Sequence, residues 1–437
     1  MRGTLTMAAV AGLSVSAWAQ PVPRSSFNND VYVSDTGLDT VYLCRDLNGD
    51  GDAGDTGETK VFFDNSNAVF FSGAGAVFTI GVAADGRVFV GDGDTDSLYA
   101  LRDVNGDGDA NDEGEAVLYF ATVSTLQLFQ TPGGVAFGPE GVVYASTAGA
   151  GATLTADYVY RLQDLNADGD ADDNFEYSVY IDLSTLVVGS SCFDLAASGS
   201  TLYLVDTRGG AEDVIFAARD ADASGTIDAG ELREFYSTAR VLGPGIGTGI
   251  GVDGEDVYVV DSTSSIPVQK VWRLRDLDGS GLIDLPSEVT EVWSEALVPA
   301  GVTLGSAFDL AVGPPGVIGL VSSGSDLQDN VLVLTDRNAD GDFMDAGETA
   351  AMVVGNGAGV FADNARAIYF GVTPAAPCDP DLNQDGNVDQ DDVAYLINVV
   401  GGGENPTGID PDFNGDGNVD QDDVSAHIDV VAGGGCP

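Results

Sequence analysis

The chain is 437 residues long and sets 70 Asp and Glu against 16 Lys and Arg, a formal net charge of −54 at pH 7. A surface that negative repels nucleic acid and anionic lipid, so neither is an expected partner. Hydrophobic residues make up 44% of the chain, enough for a large core, which excludes intrinsic disorder despite the charge.

Arg2, an apolar run from Met7 through Val15, and the Ala17-Trp18-Ala19 site before Gln20 give residues 1–19 the pattern of a secretory leader. That run falls short of the roughly 20 apolar residues a bilayer span requires. No later stretch is long and apolar enough either. The expectation is a secreted, extracellular or surface-associated monomer with no membrane span.

Over residues 27–373 one unit recurs. Residues 81–120 and 134–181 share an order: apolar strand, Gly turn, second strand, third strand running into an Asp-rich loop, fourth strand. Further copies occupy about 194–236, 249–294 and 309–354. The first Asp of each loop, at Asp46, Asp103, Asp164, Asp220, Asp276 and Asp336, recurs after 57, 61, 56, 56 and 60 residues. Four short β-segments at such a period make a propeller blade enlarged by its loop. The third strands read Val41-Tyr42-Leu43, Leu98–Leu101, Val159–Leu162, Val214-Ile215-Phe216, Val271–Leu274 and Val331–Leu334. These β-branched and aromatic runs are bounded by Gly and Asp clusters, as strands are.

The first repeat starts at its second strand, Val31-Tyr32-Val33, and the missing inner strand follows the sixth loop as Ala367–Val372. Complementary ends of this kind close a ring and leave no long unpaired edge; an open β-solenoid would not need them. The predicted fold class is therefore mainly β, a six-bladed β-propeller.

Each loop spaces oxygen-bearing residues at alternate positions. The first has Asp46, Asn48, Asp50 and Asp52 at positions 1, 3, 5 and 7, Gly51 at 6 and Glu58 at 13. The second repeats this with Asp103, Asn105, Asp107, Asp109 and Glu115. The third has Asp164, Asn166, Asp168, Asp170 and Glu176, and the sixth Asp336, Asn338, Asp340, Asp342 and Glu348. In the fourth, Asp220, Asp222, Ser224, Thr226 and Asp228 precede Glu231 at position 12, the EF-hand spacing. The fifth, with Asp276, Asp278, Ser280, Asp284 and Glu288, is intermediate. Ca2+ takes six to eight hard oxygens, and alternate side chains converge on it where Gly lets the chain turn at position 6. Ser at position 5 makes the fourth and fifth loops the weaker candidates. A solvated Asp/Gly hairpin accounts for any single loop, but poorly for six in one phase.

Residues 374–377 read as a linker, after which the pattern changes. Two copies 31 residues apart each place a twelve-residue loop before an amphipathic helix. Their oxygen-bearing residues are Asp381, Asn383, Asp385, Asn387, Asp389 and Asp392, then Asp412, Asn414, Asp416, Asn418, Asp420 and Asp423. Cys378 and Cys436 bracket the module and are expected to be bridged. Cys44 and Cys192 lie in different repeats, as a bond or as two buried thiols.

The duplicated loop–helix resembles a type I dockerin, in the variant found at the C-termini of secreted bacterial proteins. The resemblance covers 378–437 and implies a small α-helical calcium-binding domain that docks onto a cohesin-type receptor. Val393–Leu396 and Val424–His427 would supply the docking face. Only Ser425 stands for the Ser/Thr pair of dockerin helices. A calcium hairpin serving stability alone is the other reading.

The only histidine is His427, in that last helix, so the propeller has no His for acid–base chemistry. No GxSxG or HExxH motif occurs. The architecture is similar to that of NHL and lactonase-like propellers, some of which are calcium-dependent hydrolases; that is analogy of fold. Two readings follow: a noncatalytic binding or scaffold module taking a carbohydrate or small ligand at the propeller face, or a calcium-dependent hydrolase of lactonase, phytase or carbohydrate-active type. Acidic residues at the channel mouth would favour the second, metal confined to peripheral loops the first.

Overall fold

The computed structural model describes residues 27–67, 77–121, 129–147, 157–187, 192–207, 213–241, 245, 247–262, 268–324, 327–355, 364–372, 382–383, 388, 390–403, 405–407, 411, 413, 419 and 421–431. The predicted leader, the linker, Cys378 and Cys436 lie outside them. So do Asp381, Asp385, Asn387, Asp389, Asp412, Asn414, Asp416, Asn418 and Asp420.

Among the described residues the strands form six four-stranded antiparallel sheets. Their inner strands are Ala365–Val372, Val77–Val82, Pro132–Phe137, Cys192–Ser198, Ile250–Asp253 and Ser306–Val312, for blades 1 to 6. Each touches the inner strand of the next blade, and the last touches the first, so the sheets close into a ring. The closing strand pairs antiparallel with Phe27–Asp35, setting Val31 opposite Phe370, Tyr32 opposite Tyr369 and Val33 opposite Ile368. The expected completion of the first blade by the C-terminal strand is what the chain does, and it removes the edge that an unclosed ring would expose.

The third strands, Thr40–Arg45, Ser97–Leu101, Tyr158–Leu162, Asp213–Ala218, Lys270–Leu274 and Asn330–Thr335, contain all six predicted runs. Every third–fourth strand pair carries one register shift, as at Leu98/Tyr99 and Val331/Leu332. The extra residue is on the fourth strand each time, Phe62, Tyr119, Tyr180, Phe235, Val292 and Met352, where it bends the outer edge and adds twist.

The core is six apolar clusters, each shared by strands of adjoining blades. Between blades 2 and 3, for example, Phe120 meets Phe129 edge-to-face at 5.2 Å and Tyr160 at 5.2 Å. Aromatic pairs at such separations add about 0.5–1.5 kcal/mol to area burial. Cys44 and Cys192 are both buried and free, so the second of the two sequence readings holds. Burial pushes the Cys44 thiol up to about 12 and that of Cys192 higher still.

Beyond the ring, two 11-residue helices, Gln390–Val400 and Gln421–Val431, lie against each other. Among the described residues no helix is long and apolar enough to cross a membrane.

Candidate metal clasps and the central channel

All six Asp-rich loops join a third strand to the outermost fourth strand of the same blade. Each folds around its first aspartate. Asp46 Oδ1 accepts from the Gly49 amide at 2.6 Å and Oδ2 from Gly51 at 2.9 Å. Asp103, Asp164, Asp220, Asp276 and Asp336 take the amide of their own position-6 glycine at 2.7–3.0 Å. Those glycines have φ between +79° and +105°, a region costly to any residue with a Cβ. The predicted turn at position 6 is thus present six times. The amides of Gly49 and Gly51 hold the Asp46 carboxyl below its ordinary range. Burial works against the same effect at Asp276, but the amides of Gly281, Gly279 and Ser280 outweigh it.

The closing glutamates fold back onto the start of their loops. Glu58, Glu115, Glu176, Glu231, Glu288 and Glu348 each accept, through Oε1, the amide of loop position 2 at 2.6–3.0 Å. Three loops bring three carboxylates within 4.8 Å of one another: Asp168, Asp170 and Glu176; Asp220, Asp222 and Glu231; Asp276, Asp278 and Glu288. Two of these are the loops read as weaker for their Ser. The Ser224 and Ser280 hydroxyls instead donate to the carbonyls of Thr226 and Leu282 at 2.9 and 3.2 Å. In the third loop Glu176 Oε2 is buried and has no hydrogen-bond partner, a carboxylate oxygen whose desolvation only a cation or a donor offsets.

Sequence reasoning missed Asp55, Asp112, Asp173 and Asp345. They accept from the side-chain amides of Asn48, Asn105, Asn166 and Asn338 at 2.6–3.0 Å, holding the position-3 residue in place. The signal was present: each stands three residues before its loop's glutamate, as Asp228 does before Glu231.

Position 8 was also overlooked. It is always apolar and buried, as Ala53, Ala110, Ala171, Ile227, Ile283 and Phe343. In each loop its amide donates to a carbonyl of the preceding blade's fourth strand: Ala53 to Met352, Ala110 to Phe62, Ala171 to Tyr119, Ile227 to Tyr180, Ile283 to Phe235 and Phe343 to Val292, at 2.7–2.9 Å. Each loop therefore clasps its own blade to the one before it, and the Ala53–Met352 bond does so across the seam of the ring.

At the axis the symmetry breaks. Asp194 and Asp309, from the inner strands of blades 4 and 6, bring their carboxyl groups within hydrogen-bonding reach of each other. Gly249 of blade 5 leaves the space between them; a Cβ there would stand 2.7 Å from Asp309 Oδ1. Asp194 accepts the amides of Leu195 and Ile250, and Asp309 those of Leu310 and Ile368, so each also ties its strand to the next blade. Burial, and at Asp194 also the facing carboxylate, raises both groups, Asp309 to about 7. The pair therefore holds on to a proton above the range where an exposed carboxyl has lost its own. Arg366 lies between Phe78 and Phe308, its guanidinium carbon 4.6 and 4.1 Å from the ring centres. Tyr369 faces small residues, Ala136, Ala196, Gly251 and Ala311, across a cavity of about 110 Å³; burial and then Asp194 push its hydroxyl up to about 12.

In the C-terminal pair, the Asn383 amide donates to Asp392 Oδ1 at 3.1 Å, the same link of position 3 to the closing acid as in the propeller loops. Asp392 and Asp423 are buried. The expected docking face is covered in part, while its Val393 and Ala394 border an open groove. Leu396 and His427 are buried, His427 with its ring against Phe413 at 4.7 Å, and the Tyr395 hydroxyl is engaged by Asn405 and Thr407. The exposed apolar side chains come one position later, at Ile397 and Ile428, beside a groove of about 530 Å³ that also takes in Val393 and Val431.

No family model matches the chain, and no curated protein does. Many solved structures are similar in fold at low identity. One is a chain of a nidogen–laminin complex, 12% identical, covering 79% of this chain and 99% of its own, with a TM-score of 0.49. A calcium-binding regucalcin from Agrobacterium tumefaciens is 13% identical over 60% of this chain and 71% of its own, TM-score 0.37. A gluconolactonase from Xanthomonas campestris is 12% identical over 82% and 97%, TM-score 0.40.

Proposed function

We propose that this chain is a secreted calcium-clasped β-propeller, a noncatalytic binding module carried by a dockerin-like helix pair that docks onto a cohesin-type receptor. The clasps are the observation that carries it. An ion held by loop positions 1, 3, 5 and 7 and the closing Glu would order the loop, and the ordered loop holds position 8 on the neighbouring blade. Ion binding is then folding energy for the ring. The donor set is all oxygen, as Ca2+ prefers, and the partnerless Glu176 Oε2 is an oxygen awaiting a cation.

The docking role rests on the duplicated loops and on the groove beside Ile397 and Ile428. A hydrolase remains the second reading, favoured by the acid pair in the channel. Against it, both carboxyls of that pair already serve backbone amides, and the loops with metal-ligand spacing lie at the outer edge.

Equilibrium dialysis with Ca2+ should find about eight ions per chain, one for each loop. A stoichiometry near two would confine the metal to the C-terminal pair and remove the clasp reading.

A further inference from the structure

Among the inner strands, bulges fall at Phe78, Phe193 and Phe308, and the equivalent bulge of blade 1 holds Arg366. A cation thus stands in a layer of aromatic side chains at the end of the channel where these strands begin. Phe78 and Phe308, from the blades on either side, clamp it. Cation–π contact of this kind is worth about 0.5–2 kcal/mol and fixes the guanidinium. It does nothing for the five N–H donors. Among the described residues Arg366 makes no hydrogen bond and no ion pair, whereas Arg45, Arg87, Arg240 and Arg275 each meet a carboxylate. Burial lowers its pKa to about 10, with Asp309 opposing, so it stays charged at neutral pH.

We propose that Arg366, in its Phe78–Phe308 clamp, is the recognition group for a small organic monocarboxylate bound on the channel axis. A planar carboxylate meets the guanidinium fork with two parallel hydrogen bonds. The acid pair behind it sets the charge that is accepted. Arg366 is the one cation facing Asp194 and Asp309 among the described residues, so it can balance a ligand with a single charge, whereas a dianion leaves a second charge uncompensated beside two acids. The aromatic layer takes the C–H face of the ligand's body.

This names the ligand class of the binding module proposed above and rests on that reading. The test is calorimetric titration of the full chain at neutral pH in saturating calcium with glucuronate, acetate and inorganic phosphate. Glucuronate should bind more tightly than phosphate. Arg366→Gln should weaken glucuronate by about 10- to 100-fold, the loss of a charged bidentate hydrogen bond. Arg366→Lys, which keeps the charge without the fork, should weaken it less and decides the matter if the Gln variant does not fold. Wild-type protein that binds neither carboxylate, phosphate binding as tightly as glucuronate, or an Arg366→Lys protein binding as wild type does would each overturn the proposal. A chain that melts calcium-dependently yet ignores carboxylates loses only the channel site. Calcium-independent melting removes the clasps and leaves the titration standing.

Discussion

The rim and the axis of this ring obey different rules. At the rim, six loops repeat the same amide-to-carboxylate bonds and the same position-8 clasp, whatever the blade. At the axis, equivalent positions hold Thr79, Gly134, Asp194, Gly249, Asp309 and Ala367, no two neighbours agreeing, and one residue earlier Arg366 stands where three other blades have Phe. Sixfold repetition is what a part needs when every blade must be joined to the next in the same way. Departure from it is what a site needs, since a ligand on the axis meets six strands at once and is held by the few that differ.

The largest expected effect separates the two regions by their response to chelator. Stripping calcium should speed hydrogen exchange at the amides of Ala53, Ala110, Ala171, Ile227, Ile283 and Phe343 by about 100-fold, the loss of about 2.7 kcal/mol carried by an ion at 100 times its Kd. The amides of Ile250 and Ile368, held by the acid pair, should change less. Equal acceleration at both would mean the ring opens as one unit and the rim has no separate metal-dependent role.

Next in size is a pH dependence of opposite sign at rim and axis. Asp46 and Asp276 have folded pKa values below the ordinary range, so their stabilisation is present above that range and lost as pH falls through it. Asp309 is raised to about 7, so the native pair keeps a proton that the unfolded chain has released. Stability then falls as pH rises between about 4 and 7, by up to about 1.4 kcal/mol per pH unit. The groups facing the pair are Arg366, a cation throughout, and Tyr369, neutral throughout. Urea melts of Asp309→Asn in saturating calcium should show a flatter profile over that range; a slope equal to wild type would place the titration elsewhere.

A smaller effect follows from the space at Gly249. In Gly249→Ala the new methyl would stand 2.6–2.7 Å from the Leu310 amide and Asp309, forcing blade 5 away from blade 6. Overpacking of this kind costs about 1–3 kcal/mol. A thermal melt that shifts by less than the equivalent of about 0.5 kcal/mol would mean the blades yield without strain.

Much of the rim was legible in the sequence because it is built from local chemistry. The spacing of Asp46, Asp103 and their successors, the apolar third strands and the orphan strand at Ala367–Val372 are each properties of a few consecutive residues, and the fold follows from their repetition. Asp55 and its equivalents were missed because an alternating ligand count passes over the residue three before the glutamate. Ala53 was missed because an apolar residue in an acidic loop has meaning only when the neighbouring blade is in place. The axis was less legible still. Phe193-Asp194-Leu195 and Phe308-Asp309-Leu310 repeat visibly, but 115 residues separate the two aspartates, and only closure of the ring brings them together. Leu396 and His427 were assigned to a docking face because a helix read alone gives its apolar stripe but not which part the partner helix covers.

The smallest effect asks whether Asp55 belongs to the metal site or only braces the loop. Its side chain accepts from Asn48 Nδ2 at 2.8 Å, while its amide separately donates to Glu58 Oε2 at 3.1 Å. Asp55→Ala removes the first bond and keeps the second. The lost bond is exposed, so in chelator the change should cost about 0.5 kcal/mol, the lower end for a hydrogen bond. In calcium the cost should roughly double if Asn48, freed from its brace, turns away from an ion that it would share with Asp46 and Asp50. Paired melts of the variant with and without calcium measure the difference. An equal loss in both conditions would make Asp55 a brace of the metal-free loop alone, and would leave ion binding to positions 1, 3, 5 and 7 and the closing glutamate, as alternation by itself suggests.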